Sequence, residues 1–417
     1  MIKILHGSAE LWGGSPDLRR TASSGSVEDA VRPIIDAVRQ HKDAALLRYA
    51  RELDDLGDRP LRVSQDEFAH AASALSPAFC RAAGVAIANI RQFACEQLPR
   101  ERFEEFSPGR KLGWIVRPLD AVGCYVPSGR YPLPSTLLMT AVLAQTAGVP
   151  RICVTSPRPS PEILGCAHLL GIREVYRVGG AQAIAAMAFG TETISRVTRI
   201  VGPGNAYVAA AKKLLAGEVG IDFVAGPTEI LILAAGGDPN IIAADMLAQA
   251  EHDPAARAML ITSSQELASA VSLEIERQLE TLPTSDVARQ SIDSGSFIAV
   301  VPDMDAAIDL SNAIAPEHLS LHDPSLLSKI RNAGTVFLGS NSPESAGDYA
   351  AGPSHVLPTE GVARLRGGLS ATDFVKVIAI QQLSPSALQD LGPAITTLAR
   401  AEGLEAHARA VEVRCVN

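Results

Sequence analysis

The sequence predicts an α/β fold with two successive series of βα units, and three observations carry that expectation. From Ala121 onward, short β-branched runs begin near residues 121, 151, 174 and 197, the spacing of strand–helix units in a parallel sheet. A second series of apolar runs follows: "EILILA", "AMLIT", "FIAVV", "HLSL" and "TVFLG". Residues before about 100, by contrast, carry apolar side chains at three- and four-residue intervals, the period of helices.

The elements follow in order. Ser26 and Asp29 have the spacing of a capping box, and "VEDAVRPIIDAVRQ" and "AALLRYAREL" continue with helical periodicity. A second helical stretch covers about 65–98. "AVGCYV" reads as a strand, followed by the Gly/Pro-rich loop "PSGRYPLPS" and the helix "TLLMTAVLAQTAG". "RICVTS" precedes a helix over 161–171, "EVYRV" precedes "GGAQAIAAMAFG", and "VTRIV" precedes "GPGNAYVAAAKKLLAG". In the second series Asp238 is placed to cap, and Pro239 to open, the helix "NIIAADMLAQAEH". Further helices are expected near 264–279, 304–314 and 324–333. The long first helices are expected to pack on the second series, so that 23–121 and 229–366 form one α/β domain and 122–228 the other. Residues 1–22 make an N-terminal arm. The tail, 367–417, reads as helices outside both sheets.

Composition narrows the function. Of 417 residues, 47% are apolar and 20% charged, which suits sizeable cores and excludes disorder and coiled coil. A net charge of −9 argues against a nucleic-acid binder dominated by phosphate contacts. No apolar run approaches the roughly 18 residues of a membrane span. "MIKILHGSAELWGG" is too weakly apolar for a signal peptide, so a cytoplasmic protein is expected. The cysteines, Cys80, Cys95, Cys124, Cys153, Cys166 and Cys415, contain no C-x-x-C and read as free thiols. Any metal must be held by His, carboxylate or amide groups.

Several polar residues could do chemistry. Gln249 and His252, three apart at the end of a helix, share one face. Glu317 and His318 stand together in "IAPEHLSL" at a helix–strand junction; both types transfer protons, and on an extended chain they would point opposite ways. Asp348 and His355 flank "YAAGPS" in a tightly bending loop. "VGPGNAYVAAA", around Asn205, offers backbone N–H groups and a helix start to a phosphate, although it is not G-x-G-x-x-G. Glu402 and His407 lie in "AEGLEAHARAVEVR", where nothing local marks them as functional.

Taken together, the blocks "VGCYVPSGRYPLPSTLLM", "YRVGGAQAIAAMAFGTETI", "IVGPGNAYVAAAKK", "AGPTEILI", "QAEHDP", "APEHLSL", "PESAGDYAAGPSHVLPT" and "EGLEAHARAVEVR" resemble the histidinol dehydrogenase family, from about Ser26 to Val413. The resemblance implies two incomplete Rossmann-like domains with parallel-rich sheets, plus small N- and C-terminal helical pieces. It implies one zinc ion per chain on Gln249, His252, Asp348 and His407, with His407 reaching across a homodimer through a swapped tail. Glu317 and His318 would be the acid–base pair. Substrate contacts would fall on Thr228, Gln249, His252, His318, Asp348, His355, Glu402 and His407, and NAD contacts on Tyr125, Gln182 and Asn205. The implied reaction is the four-electron, NAD-dependent oxidation of L-histidinol to L-histidine.

Two departures from the family pattern stand out. Thr228 replaces the more common Ser and keeps its hydroxyl, and "AGPSHV" replaces the usual Gly-Thr-Asn before His355. The rival readings are a paralogue oxidising another small polar alcohol such as a sulfonated propanediol, a zinc scaffold without turnover, and a zinc hydrolase. The first should carry extra Arg for its anion, whereas Glu402 and His355 suit an amine and an imidazole. The second should lack a ligand or a proton-transfer residue, and none is missing. Four protein ligands would leave the third no open position for water.

Overall fold

Both series of strands form parallel sheets, and both sheets have the same winding. The computed structural model describes residues 1–7, 24–128 and 131–415. Strand β1 (Lys3–His6) is followed by helices α1 (Ser24–Leu53), α2 (Gln65–Ala74) and α3 (Pro77–Gln97), then by β2 (Arg102–Ser107) and β3 (Arg110–Pro118). Next come β4 (Val122–Tyr125), α4 (Pro134–Thr146), β5 (Ile152–Thr155), α5 (Pro161–Leu169), β6 (Glu174–Tyr176), α6 (Gly180–Phe189), β7 (Arg199–Val201), α7 (Ala206–Leu215) and β8 (Gly220–Ile221). These five strands pair in the order β6-β5-β4-β7-β8, all parallel.

The second series comprises β9 (Glu229–Leu233), α8 (Pro239–Ala250), β10 (Arg257–Thr262), α9 (Gln265–Leu279), α10 (Ser285–Ser294), β11 (Phe297–Val300), α11 (Met304–Ile314), β12 (His318–Leu321) and β13 (Thr335–Leu338). Its sheet runs β1-β11-β10-β9-β12-β13, again all parallel. In each sheet the first strand of the series is central, and the chain winds outward on one side before crossing to the other. That reversal, between β4 and β7 and between β9 and β12, is the switch point at which doubly wound folds bind ligands. As the sequence pattern predicts, the Asp238 side chain caps α8 and Pro239 opens it. The chain ends with α12 (Glu344–Tyr349), β14 (Val375–Leu383), α13 (Pro385–Ala401) and α14 (Glu405–Cys415).

Five expectations need correction. The arm at 1–22 contributes a strand, β1, which extends the six-stranded sheet along β11; residues 8–22 lie outside the described residues. The tail is not purely helical. Val375–Leu383 pairs antiparallel with β3 from Val375↔Pro118 to Leu383↔Arg110, and β3 pairs with β2, making a three-stranded sheet. Its partner is remote in sequence, so no local hairpin signal announces it. Helices α1, α2 and α3 pack on the five-stranded half: α1 on α6 and α7, α2 on α5, α3 on α4. Val31, Ile35 and Leu46 share a core with Ile184 and Met187, and Phe68 and Ile90 share one with Leu137 and Ile163. Grouping 23–121 with 229–366 therefore does not describe the packing. Finally, α1 begins at Ser24, so Ser26 stands inside its first turn, and the helix expected at 324–333 is only a 3-10 turn over Pro324–Lys329.

The six cysteines are free, with Cys124, Cys153 and Cys166 buried and Cys95 exposed. No single described helix is long and apolar enough to cross a membrane.

Candidate active site

Two strand starts and one helix end build the main cluster. Adjacent strands β9 and β12 begin at Glu229 and His318, which sets Thr228 and Glu317 side by side just ahead of the sheet. Helix α8 ends beside them, bringing Gln249 within 2.8 Å of the Thr228 hydroxyl. The cluster thus lies at the switch point of the six-stranded sheet, but at the amino ends of its strands rather than the carboxyl ends.

Glu317 is buried, and its Oε2 accepts from the Thr228 hydroxyl at 2.6 Å and from the Glu229 N–H at 2.8 Å. Burial raises its pKa well above the usual carboxylate range, with these two donors opposing. His318 places Nδ1 3.0 Å from the Glu229 carbonyl. A carbonyl only accepts, so Nδ1 carries the hydrogen and Nε2 keeps a bare lone pair. That Nε2 is buried, has no hydrogen-bond partner, and lies 3.9 Å from Asp348 Oδ1. Burial pushes the ring pKa down to about 4, so the imidazole is neutral. Phe337 stacks against it, centroids 6.0 Å apart.

The two neighbours do not diverge as an extended chain would have them. Glu317 Oε2 is 3.6 Å from His318 Nδ1. Glu317 precedes the strand's first residue, and Ala315, in the left-handed region at φ 56°, followed by Pro316, bends the chain there.

Three further groups converge beside His318. Ligating atoms of His252, Glu344 and Asp348 all lie within 4.8 Å of one another, with His252 Nε2 3.8 Å from Asp348 Oδ2. Glu344 is buried, and burial together with the Asp348 and Glu317 charges raises its pKa well above the usual range. Its Oε2 lies 3.0 Å from the end of the fully buried Gln249 amide. With the NH2 of Gln249 toward Thr228, the amide oxygen meets only acceptors. Turned over, the nitrogen donates to Glu344 and the oxygen accepts from the Glu229 N–H at 3.1 Å. A cavity of about 580 Å³ opens onto His252, Glu344 and Asp348 between α3, residues 131–135, the end of α8 and α12. It therefore lies between the two halves. An imidazole, two carboxylates and an adjacent amide form a donor set suited to a divalent ion such as zinc.

His355 joins the group through the backbone. Its Nδ1 lies 2.9 Å from the Asp348 carbonyl and its Nε2 3.3 Å from the Thr136 hydroxyl, so both ring nitrogens are engaged within the protein. Glu402 and His407 stand apart. Both are exposed, Glu402 at the C-cap of α13 and His407 on α14, and these helices pack chiefly on each other and on β14.

Tyr125, Gln182 and Asn205 line a second cavity of about 600 Å³ at the switch point of the five-stranded sheet. Tyr125 ends β4; its hydroxyl accepts from the Gly180 N–H at 3.2 Å, and burial pushes its pKa up to about 12. Gly202 fits at φ 113° because a Cβ there would stand 2.2 Å from the Tyr125 carbonyl oxygen. Gln182 Nε2 donates to Asp54 Oδ2 at 3.0 Å, leaving the buried Oε1 unpartnered. The same Asp54 oxygen accepts from the Gly179 N–H. Asn205 caps α7, accepting from Tyr207 and Val208, so two amides that the sequence pattern offered to a phosphate are already bonded.

Two site residues escape sequence reasoning, Glu344 and Asp54. Glu344 carries a usable signal, four residues before Asp348 on one helix face. Asp54, the first of two adjacent aspartates just beyond α1, carries none.

Comparison with known proteins gives one consistent result. Residues 18–415 match the family model described as histidinol dehydrogenase. The chain is 48% identical over 401 residues to a histidinol dehydrogenase of Rhizobium meliloti (strain 1021), covering 94% of this chain and 92% of that one. It is 47% identical over 397 residues to one of Bacillus anthracis, covering 93% and 92%. The crystal structure of histidinol dehydrogenase from Elizabethkingia anophelis matches with a TM-score of 0.95 at 36% identity, over 99% of this chain and 98% of that one. The chain belongs to the histidinol dehydrogenase family and is an oxidoreductase of that class.

Proposed function

We propose that this chain oxidises L-histidinol through bound L-histidinaldehyde to L-histidine, the last step of histidine biosynthesis, reducing two NAD for each histidinol and holding one zinc ion per chain. The observation that carries the reading is His318. A buried, neutral imidazole whose hydrogen is fixed on Nδ1 holds an unpartnered Nε2 at the edge of a metal-suited cluster.

Gln249, His252 and Asp348, with His407 of the partner subunit, would hold the ion. When bound, zinc supplies a template that orients the substrate's nitrogens. NAD, against Tyr125, Gln182 and Asn205, supplies the hydride acceptor in each oxidation. The remaining work falls to the chain's own groups. His318 Nε2 takes the alcohol proton, and the Glu229 carbonyl, bonded to Nδ1–H, steadies the imidazolium that forms. Glu317 then takes a proton from the water that hydrates the aldehyde. Thr228 and the Glu229 N–H hold that carboxyl in place, and its raised pKa brings it nearer the working range of a general base. Thr228, Gln249, His252, His318 and Asp348 contact the substrate directly, and His355 borders it while steadying the Asp348 backbone.

Glu402 and His407 serve the site of a second chain in a homodimer. Their exposure, and that of Phe103, Phe106, Val377 and Ile378 on the three-stranded sheet, supports that assembly. The free cysteines accord with a cytoplasmic setting. The test is steady-state turnover by the purified, zinc-loaded chain with L-histidinol and NAD. NADH formation saturable in histidinol is expected, and no turnover under those conditions would end the reading.

A further inference from the structure

We infer that Asp54 sets the choice between NAD and NADP: its open carboxylate oxygen accepts from the 2′-hydroxyl of the adenosine ribose and turns away the 2′-phosphate that NADP carries there. The inference rests on the reading that NAD occupies the cavity at the switch point of the five-stranded sheet.

Asp54 is 6% exposed and lines that cavity with Tyr125, Gln182 and Asn205. Its two oxygens are placed differently. Oδ2 accepts from the Gly179 N–H and from Gln182 Nε2, both at 3.0 Å. These donors belong to the start of α6 and hold the carboxyl in place. Oδ1 bonds to no described residue, yet it is not sealed from solvent. A carboxylate with one oxygen committed and the other open is a preset acceptor for a donor on the ligand.

The ribose that meets Asp54 follows from the layout of the two cavities. This one shares no lining residue with the cavity that opens onto His252 and Asp348, where hydride must pass. The nicotinamide therefore reaches toward that second cavity, and the end of the dinucleotide left beside Asp54 is the adenosine.

Charge then separates the two cofactors. Arg158, lining the same cavity, gives Nη1 to Asp55 Oδ2 at 3.0 Å, so the guanidinium that would favour a phosphate is already neutralised. Among the described residues Asp54 itself forms no ion pair. Burial raises the Asp54 pKa, and the Gly179 and Gln182 donors and the Arg158 charge oppose that rise. A ribose hydroxyl brings a donor to Oδ1. A phosphate brings only acceptors and a charge of the same sign, and such repulsion is what makes a site reject a near-identical ligand.

The experiment compares NAD with NADP in steady-state turnover of histidinol by the full-length, zinc-loaded chain. The wild-type chain should prefer NAD, and equal use of the two overturns the inference at once. Asp54→Asn keeps an oxygen for the Gly179 and Gln182 donors and replaces only the open oxygen by NH2. The ratio of kcat/KM for NAD to that for NADP should fall by at least about tenfold, the worth of one hydrogen bond to a charged group, and a smaller fall overturns the inference. KM for histidinol should not move. A merely structural role would weaken both cofactors alike and leave the ratio where it was. If Asp54→Asn does not fold, the wild-type chain is given NAD lacking the 2′-hydroxyl of its adenosine: binding should weaken by at least about tenfold, and a smaller loss overturns the inference. Gln182→Leu and Asn205→Ala locate the cofactor itself. If they weaken NAD binding while Asp54→Asn leaves the ratio unmoved, the inference alone fails; if neither alters NAD binding, the cavity is not the cofactor site and both readings fail.

Discussion

Replacing Glu317 by Gln should separate the two oxidations. A single carboxylate oxygen of Glu317 receives both the Thr228 hydroxyl at 2.6 Å and the Glu229 N–H at 2.8 Å. A glutamine can place its amide oxygen there with no change of shape, so both buried donors stay satisfied and stability should change by less than about 1 kcal/mol. Glu317→Ala, by contrast, strands two buried donors and should cost about 1–3 kcal/mol for each. The Gln variant therefore removes the base and little else. Loss of a general base costs about 10²- to 10⁴-fold in rate, or about 2.7–5.5 kcal/mol of barrier. The assay supplies L-histidinol and L-histidinaldehyde separately and follows NADH. Aldehyde oxidation should fall by that factor, because it needs activated water, and the alcohol step should fall much less. His318→Asn should show the opposite bias. Small, equal losses in both half-reactions would refute the division of labour between the two residues.

Three other outcomes follow from the same structure. Removing metal with a chelator should abolish activity without global unfolding, since the cores around β4, β5, β9 and β10 are apolar and contain none of the proposed ligands; loss of cooperative thermal unfolding on chelation would show the ion to be structural. Burial pushes the Glu229 carboxyl up to about 7 from 4.5, with Arg257 opposing. A raised folded-state pKa gives stability that is complete below 4.5 and lost as pH rises through about 7, a change of up to about 3 kcal/mol. Glu229→Gln should flatten that part of the stability profile, and an unchanged slope would show that another group causes it. Mixing His407→Ala chains with His318→Ala chains should restore up to about a quarter of wild-type activity, because half the dimers are mixed and one of their two sites is intact. Mixed dimers as inactive as their parents would place His407 in its own chain's site.

The sequence made the parallel sheets legible because their strands are short, apolar and regularly spaced, and the Asp238–Pro239 start of α8 could be read residue by residue. The three-stranded sheet could not be read this way. Its strands β2 and β3 alternate weakly, and β14 pairs with residues more than 250 positions earlier. Packing of α1–α3 was equally hidden, since amphipathic periodicity marks a buried face and not the partner that covers it. Within the site, Gln249 and His252 were visible as a helical pair. The convergence of Glu317 with His318 was not, because it depends on the left-handed turn at Ala315. Glu402 and His407 acquired meaning only from family resemblance, and in the single chain they remain at the surface.

The most direct test of the proposed chemistry is the stoichiometry of a single reaction mixture. Purified zinc-loaded chain is given limiting L-histidinol and excess NAD, while NADH is read by absorbance and histidine and aldehyde by chromatography. Two NADH for each histidine formed, with no free aldehyde accumulating, is the predicted result. One NADH per histidinol consumed, or aldehyde released as the final product, would contradict a four-electron oxidation carried through by His318 and Glu317 at one site.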